Sequence, residues 1–297
     1  AIRQRRVDLL HANSLAMGRL TGPVAQGLGL PSIAHLRDII GLSKSAIGDL
    51  NCHNRLLAVS HATRAYHVAA GLAPDRVHVL YNGVDLDRFR PRPPTGWLHR
   101  ELDLPPSTAL IGFVGQIALR KGLDTLLEAA HLVAATSSDV HFLVVGQRYS
   151  EKPESRELEA RVVRAAREEL SGRLYLLGER TGVERLLPEL AILVHPARQE
   201  PLGRVLLEAA ASGTPIIATR VGGTEEIFPA SASAAQLVPP GDALTLADAI
   251  QTLLANPQQR ATLATAGRQR AEAAFDIRRS AAALIQHYRE VAARAYK

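Results

Sequence analysis

Short, nearly continuous apolar runs alternate with helical periodicity along almost the whole chain. The runs are VDLL at 7–10, SIAHL at 32–36, LLAVS at 56–60, VHVL at 77–80, ALIGFVG at 109–115, HFLVVG at 141–146, LYLLG at 174–178, AILVH at 191–195 and PIIATRV at 215–221. They lack the apolar–polar alternation of a half-exposed sheet and end in glycine or polar residues, which predicts strands buried on both faces. Between them, Leu123, Leu126, Leu127, Ala130 and Val133 form an apolar stripe at helical spacing. A mixed-charge segment at 154–170 reads as a second helix. The stretch from Ala243 onward reads as helical, with interruptions expected at Asn256–Pro257 and at Gly267. Strand–helix alternation of this kind predicts parallel sheets with right-handed crossovers.

The series breaks once, at RFRPRPPTG (88–96), which is proline-rich and without apolar periodicity. Two domains are therefore expected, at 1–92 and 93–280, with 281–297 as a terminal helix. With 297 residues, 46% of them hydrophobic, the chain can bury real cores, and with 4% aromatics those cores are aliphatic. The single cysteine, Cys52, can form no internal disulfide, and no Cys/His spacing suggests zinc. No run approaches the ~20 apolar residues of a membrane span. A cytoplasmic setting is the expectation, with peripheral contact to the inner face of a membrane left open. The formal charge is +6 and the pI about 9.8. This excess reads either as a solvated basic surface or as attraction to anions. The basic residues are interspersed with acids, RQRR at 3–6 being the densest run, and few aromatics are available to stack bases, so no nucleic-acid partner is expected.

The most informative stretch is QEPLGRVLLEAAASGTPIIATRVGGTEEI at 199–227. Strand 191–195 leads into a loop holding Glu200. Pro201 suits a turn into a helix, Val205, Leu206, Ala209 and Ala210 share a face, and Gly213 is the C-cap. Leu202 and Gly203 place backbone N–H groups at the helix start, where an anion can approach closely. Glu200 can equally be a helix cap and Glu208 a solvated helix position. The pair, combined with the glycine loop and Gly222–Gly223, favours a ligand site. In GFVGQIALRKGLDTLLEAA (112–130), Arg120 and Lys121 stand at a helix start with no acid beside them in sequence. Cations there oppose the macrodipole by ~0.3–1 kcal/mol each. A bound diphosphate would explain both, and so would simple exposure to solvent. Both loops follow carboxyl ends of parallel strands, the usual ligand position in open α/β sheets.

These stretches resemble family 4 glycosyltransferases, whose fold is GT-B: two Rossmann-like parallel-sheet domains facing a cleft. The resemblance lies in EPLGRVLLEAAASGTPIIATRVGG with its Glu-x7-Glu spacing, in VGQIALRKG, in YNGVDLDRF (81–89) and in the closing AEAAFDIRRSAAALIQHYREV. It implies an acceptor-side domain, a nucleotide-sugar-binding domain and a final helix crossing back onto the first. It implies transfer of a sugar from a nucleotide-diphosphate sugar to an acceptor hydroxyl, with retention and without a metal or other cofactor, the departing phosphate helping to take the acceptor proton. The acceptor class stays open among saccharides, lipid-linked glycans and small molecules. Lys121 would hold the diphosphate, Glu200 the sugar hydroxyls and Glu208 the ribose. The amides of Leu202 and Gly203 would meet the distal phosphate. Gln116 stands where the family has arginine, a lost cation that Arg204 or Arg120 would replace. Ala191 replaces a common aspartate. Either Arg37 or His35 stands at the family's sugar-facing histidine, and His11, beside Asn13, is a further candidate.

The early glycine-rich loop of such enzymes is not found, and only about four strands precede the linker. An N-terminally truncated acceptor domain is thus expected, short by about 80 residues. A GT-B epimerase or hydrolase and a non-catalytic nucleotide-sugar-binding subunit are the alternatives. A Rossmann dehydrogenase would need a G-x-G-x-x-G turn that the sequence lacks.

Overall fold

A computed structural model of the protein describes residues 7–295, so the basic run at 3–6 lies outside the described residues. The chain forms two compact units, one of Ala1–Gly83 with Phe275–Lys297, the other of Val84–Ala274. The first unit alternates β1 (Leu10–Ala12), α1 (Leu15–Gly27), β2 (Ser32–Leu36), α2 (Lys44–Asn51), β3 (Arg55–Ala58), α3 (His61–Ala69) and β4 (Val77–Val79). Its strands form one parallel sheet in the order β1-β2-β3-β4. Each of these helices starts on a serine: Ser14, Ser43 and Ser60 accept from the amides of Met17, Ala46 and Thr63. The hydroxyls satisfy donors that a first turn leaves without a partner. The first strand lies three residues later than the apolar run at 7–10 suggests. Its partner β2 begins at Ser32, opposite Leu10, while Val7 and Asp8 are exposed with no strand beside them.

Strand register sorts the side chains by face. His11 lies opposite Ile33, Ile33 opposite Arg55, and His35 opposite Leu57. Because successive residues point to opposite sides, Ala34, Leu36, Leu56 and Ala58 pack with Leu15, Leu50 and Leu72 on one face. Ile33 and Leu57 pack with Leu80 and Val291 on the other.

The second unit contains α4 (Trp97–Glu101), β5 (Ala109–Val114), α5 (Leu123–Ala134), β6 (Val140–Val145), α6 (Pro153–Arg164), β7 (Leu174–Gly178), α7 (Val183–Leu186) and β8 (Ile192–His195). There follow α8 (Arg204–Ser212), β9 (Ile216–Thr219), α9 (Thr224–Ile227), β10 (Gln236–Val238), α10 (Ala243–Ala255) and α11 (Pro257–Ala274). The parallel sheet has the order β10-β9-β8-β5-β6-β7. The segment expected as one helix at 154–170 is α6 followed by a π-helical turn, Ala165–Glu169. Gly267 does not interrupt its helix, contrary to the sequence expectation. It is buried between Leu263 and Ala271 on one face of α11, where its bare Cα lies against Ala210 of α8. The proline-rich segment is held to this unit: Glu189, buried, accepts from the amides of Thr95 and Gly96 at 2.7 and 2.8 Å. Strand β10 escaped the sequence reading because its three residues are only partly apolar.

The chain then returns to the first unit as α12 (Ile277–Ala295), which lays Leu284, Tyr288 and Val291 against the Ile33–Leu57 face. Arg55, on that face, pairs with Glu290 at 2.6 Å. Among the described residues no helix is long and apolar enough to cross a membrane.

Candidate functional site

Strands β5 and β8 are neighbours, and strand order runs outward from them in both directions. This is the topological switch point of the second unit, where the loops after two adjacent strands diverge and leave a crevice. The loop after β5 tightens into a 3₁₀ turn, Leu119–Lys121, and Gly122 begins α5 at φ 69°. A side chain at Gly122 would place its Cβ 1.8 Å from the Pro196 carbonyl oxygen. Glycine therefore lets the loop after β8 lie directly on this turn. The amide of Arg198 donates to the Arg120 carbonyl at 2.9 Å, and the Arg198 guanidinium pairs with Asp124 at 2.6 Å. From behind, the amide of Gly223 donates to the Glu200 carbonyl at 2.9 Å, and a Cβ on Gly222 would meet that oxygen at 2.1 Å. The paired glycines thus buttress the Glu200 loop.

Glu200, only 4% exposed, has an asymmetric environment. Its Oε2 accepts from Lys121 Nζ at 2.5 Å and from His195 Nε2 at 2.6 Å. Its Oε1 accepts no hydrogen bond among the described residues. Burial alone would raise the pKa of this carboxyl, but the hydrogen bond from His195 and the charge and hydrogen bond of Lys121 outweigh it and hold the pKa at about 2. Burial lowers the pKa of His195, against the opposing pull of Glu200. The neutral ring then carries its hydrogen on Nε2, as the bond to a carboxylate requires. Lys121 is thus not an uncompensated cation, as the sequence suggested. Its acid arrives from a loop 79 residues away, and two of its three N–H donors remain for a ligand. His195 was not singled out. Its only sequence signal was a polar residue closing a buried strand five positions before Glu200.

Beyond Glu200, Gly203 is the N-cap of α8 at φ 98° with no side chain capping the helix. The amides of Leu202 and Gly203 donate to no acceptor among the described residues. Arg120 is exposed and donates to Gln116 Oε1 at 3.0 Å, and Arg204 is also exposed. Glu208 is half-buried on α8. Burial raises its pKa, while the Arg204 and Arg88 charges oppose the rise. It makes no hydrogen bond or ion pair among the described residues, and Arg88 itself is paired with Glu184 at 3.0 Å. Among the described residues no three His, Cys, Asp or Glu side chains group as a metal site.

The first unit holds the other candidates in one cluster. His35, 4% exposed, places Nδ1 3.0 Å from His11 Nε2 and 3.2 Å from Asn13 Oδ1. Arg37 donates to Asn13 Oδ1 at 2.6 Å and to Asn82 Oδ1 at 3.3 Å. Tyr288, contributed by α12, bonds His11 Nδ1 at 2.6 Å. Burial first, then the Arg37 charge and the neighbouring histidines His11 and His287, lower the pKa of His35 to about 3.

A buried carboxylate clamped at one oxygen, beside open helix amides at a switch point, suits an anionic ligand. The family model described as "Glycosyl transferases group 1" matches residues 108–256, and that described as "Glycosyltransferase Family 4" matches residues 1–88. The chain belongs to this glycosyltransferase family. It is 32% identical to the alpha-maltose-1-phosphate synthase of Mycobacterium tuberculosis over 81% of this chain and 64% of that protein. It is 30% identical to the D-inositol 3-phosphate glycosyltransferase 1 of Catenulispora acidiphila over 95% of this chain and 72% of that one. The chain thus spans just under two thirds of the former relative's length. Anabaena Alr3699/HepE, solved in complex with UDP-glucose, superposes with a TM-score of 0.85 at 24% identity, over 95% of this chain and 79% of that one. The fold is GT-B, two parallel-sheet α/β domains.

Proposed function

We propose that the protein transfers a glycosyl group from a nucleotide-diphosphate sugar to an acceptor hydroxyl, with retention at the anomeric carbon and without a metal ion. The observation that carries this reading is Glu200, fixed through Oε2 by Lys121 and His195 with Oε1 open, next to the unengaged amides of Leu202 and Gly203. Anionic phosphate suits those amides and the helix start behind them, and the spare Lys121 donors can neutralise the diphosphate. Glu200 Oε1 is placed to accept from a sugar hydroxyl while its charge favours the cationic sugar of the transition state. Glu208, half-buried and without a hydrogen-bond partner among the described residues, is an acceptor for ribose hydroxyls. In the first unit, His35 and Arg37 are the groups assigned to sugar hydroxyls.

In the reaction the bond between the anomeric carbon and the phosphate oxygen breaks. The acceptor oxygen bonds to the same face, and its proton passes to the departing phosphate. The complexes of Alr3699/HepE with UDP and with UDP-glucose support a donor of this class. The names of the two relatives make phosphorylated sugars and polyols the first acceptors to try. The experiment is a matrix of nucleotide-diphosphate sugars against such acceptors, with products read by NMR. The expected result is an acceptor glycoside keeping the donor's anomeric configuration. Inverted product, or free sugar at the same rate with and without acceptor, would overturn the proposal.

A further inference from the structure

The alternating faces of the first sheet put His11 and His35 on the side covered by α12, where Tyr288 meets them. The pattern of hydrogen bonds decides where each ring hydrogen sits. Arg37 has only donors, so the Asn13 atom it reaches at 2.6 Å is the carbonyl oxygen. His35 Nδ1, 3.2 Å from that same oxygen, must carry a hydrogen. His11 Nε2, 3.0 Å from His35 Nδ1, must then offer its lone pair. A neutral His11 with Nε2 unprotonated carries its hydrogen on Nδ1, which points at the Tyr288 oxygen 2.6 Å away. Burial and then Arg37 keep both rings neutral. Burial also keeps the Tyr288 phenol protonated.

We infer that Asn13, its carbonyl oxygen oriented by Arg37, is a positioning residue that fixes His35 as the Nδ1–H tautomer and leaves its Nε2 as a hydrogen-bond acceptor for a sugar hydroxyl. The inference rests on the proposed transferase reading, in which His35 contacts sugar. One ring nitrogen of a histidine is set by the bond the other makes, and here that bond is to an oxygen whose orientation Arg37 dictates. His35 Nε2 forms no hydrogen bond among the described residues, so nothing else satisfies it. A ring this hard to protonate does not take a proton outright. It orients a hydroxyl by accepting its hydrogen bond, and the wrong tautomer would present a donor to that hydroxyl's hydrogen.

The test is nitrogen-15 imidazole NMR of the histidine-labelled full chain, with His35 assigned by its loss in His35→Gln, alongside donor kinetics of Asn13→Leu and Asn13→Asp. Leucine keeps the volume of the side chain and removes the acceptor, whereas aspartate keeps an acceptor oxygen and should keep the Nδ1–H form. The wild type should show His35 Nε2 as the unprotonated nitrogen. In Asn13→Leu the hydrogen of His11 can move to Nε2, with the Tyr288 hydroxyl donating to Nδ1, and His35 should shift toward the Nε2–H form. Its kcat should fall about tenfold, as when an orienting partner of a histidine is lost, with donor KM unchanged. Nε2–H in the wild type, or a His35 spectrum unaltered by Asn13→Leu, overturns the inference. A tautomer that switches while kcat stays the same upholds the positioning by Asn13 and instead removes His35 from the transferase reading.

Discussion

In the second unit a buried histidine, His195, donates to a carboxylate that stays charged. In the first, a buried histidine, His35, sits beside a guanidinium and stays neutral. Both rings close or flank a parallel strand, and both are nearly inaccessible to water. What separates them is the partner. Glu200 is held ionised by His195 and Lys121 and presents charge, whereas Asn13, oriented by Arg37, leaves His35 with a single oriented lone pair. The same residue type thus serves an electrostatic site in one unit and a hydrogen-bonding site in the other, and burial exaggerates whichever role the neighbours assign.

The contrast breaks most sharply at Glu200. Glu200→Gln removes the charge and leaves Lys121 and His195 facing a group that is half donor. We expect kcat to fall about a hundredfold, as on removing a group that stabilises transition-state charge, with a smaller change in donor KM. Steady-state kinetics with saturating acceptor reads this, and an unchanged kcat would show that Glu200 is structural. Glu208→Ala tests the other half of the motif. A ribose contact is equal in ground and transition states, so donor KM should rise about tenfold with kcat held, the signature of uniform binding. A loss confined to kcat would reverse the two roles.

Acid sharpens the comparison further. His35 titrates near 3 in the folded chain against an ordinary 6.5, so the unfolded chain takes the proton first. Its contribution is complete above pH 6.5 and is lost as pH falls toward 3, at up to roughly 1.4 kcal/mol per pH unit. His11, His53, His67, His78 and His287 are lowered in the same unit, against His141 and His195 in the second. Glu200, with a pKa near 2 against an ordinary 4.5, loses its contribution only below about pH 4.5. Hydrogen exchange between pH 7 and 5 should therefore deprotect β2 and β3 before β5 and β6. Equal loss in both sheets would contradict the assignment. The smallest expected effect is none at all: a chelator should leave transfer intact, because in the proposed reading Lys121 and the helix amides meet the diphosphate. Activity abolished by the chelator and restored by magnesium would refute this.

Much of this was legible in the sequence. SIAHL coincides with β2, buried along its whole length, and LYLLG coincides with β7, an edge strand that is half-exposed, because a short apolar run marks a strand in either setting. Glu200, Lys121, Leu202 and Gly203 converge because each sits at a strand's carboxyl end, a position that strand–helix alternation fixes. What stayed hidden depends on contacts distant in sequence. The Lys121–Glu200 pair spans 79 residues, and Tyr288 reaches His11 only because the chain returns to its first unit. Gly267 misled because a glycine that breaks a helix and one that lets two helices touch look alike in sequence. His195 gave too faint a signal, being one polar residue at a strand end.

The central claim is that the crevice between the β5 and β8 loops binds a nucleotide's phosphates through Lys121. Calorimetric titration of wild type and Lys121→Ala with a nucleoside diphosphate and with the matching nucleoside tests it directly. A charge-assisted hydrogen bond contributes roughly 1.5–3 kcal/mol, so the variant should lose about ten- to a hundredfold in diphosphate affinity and almost nothing for the nucleoside. Equal losses for the two ligands, or none for either, would contradict the account.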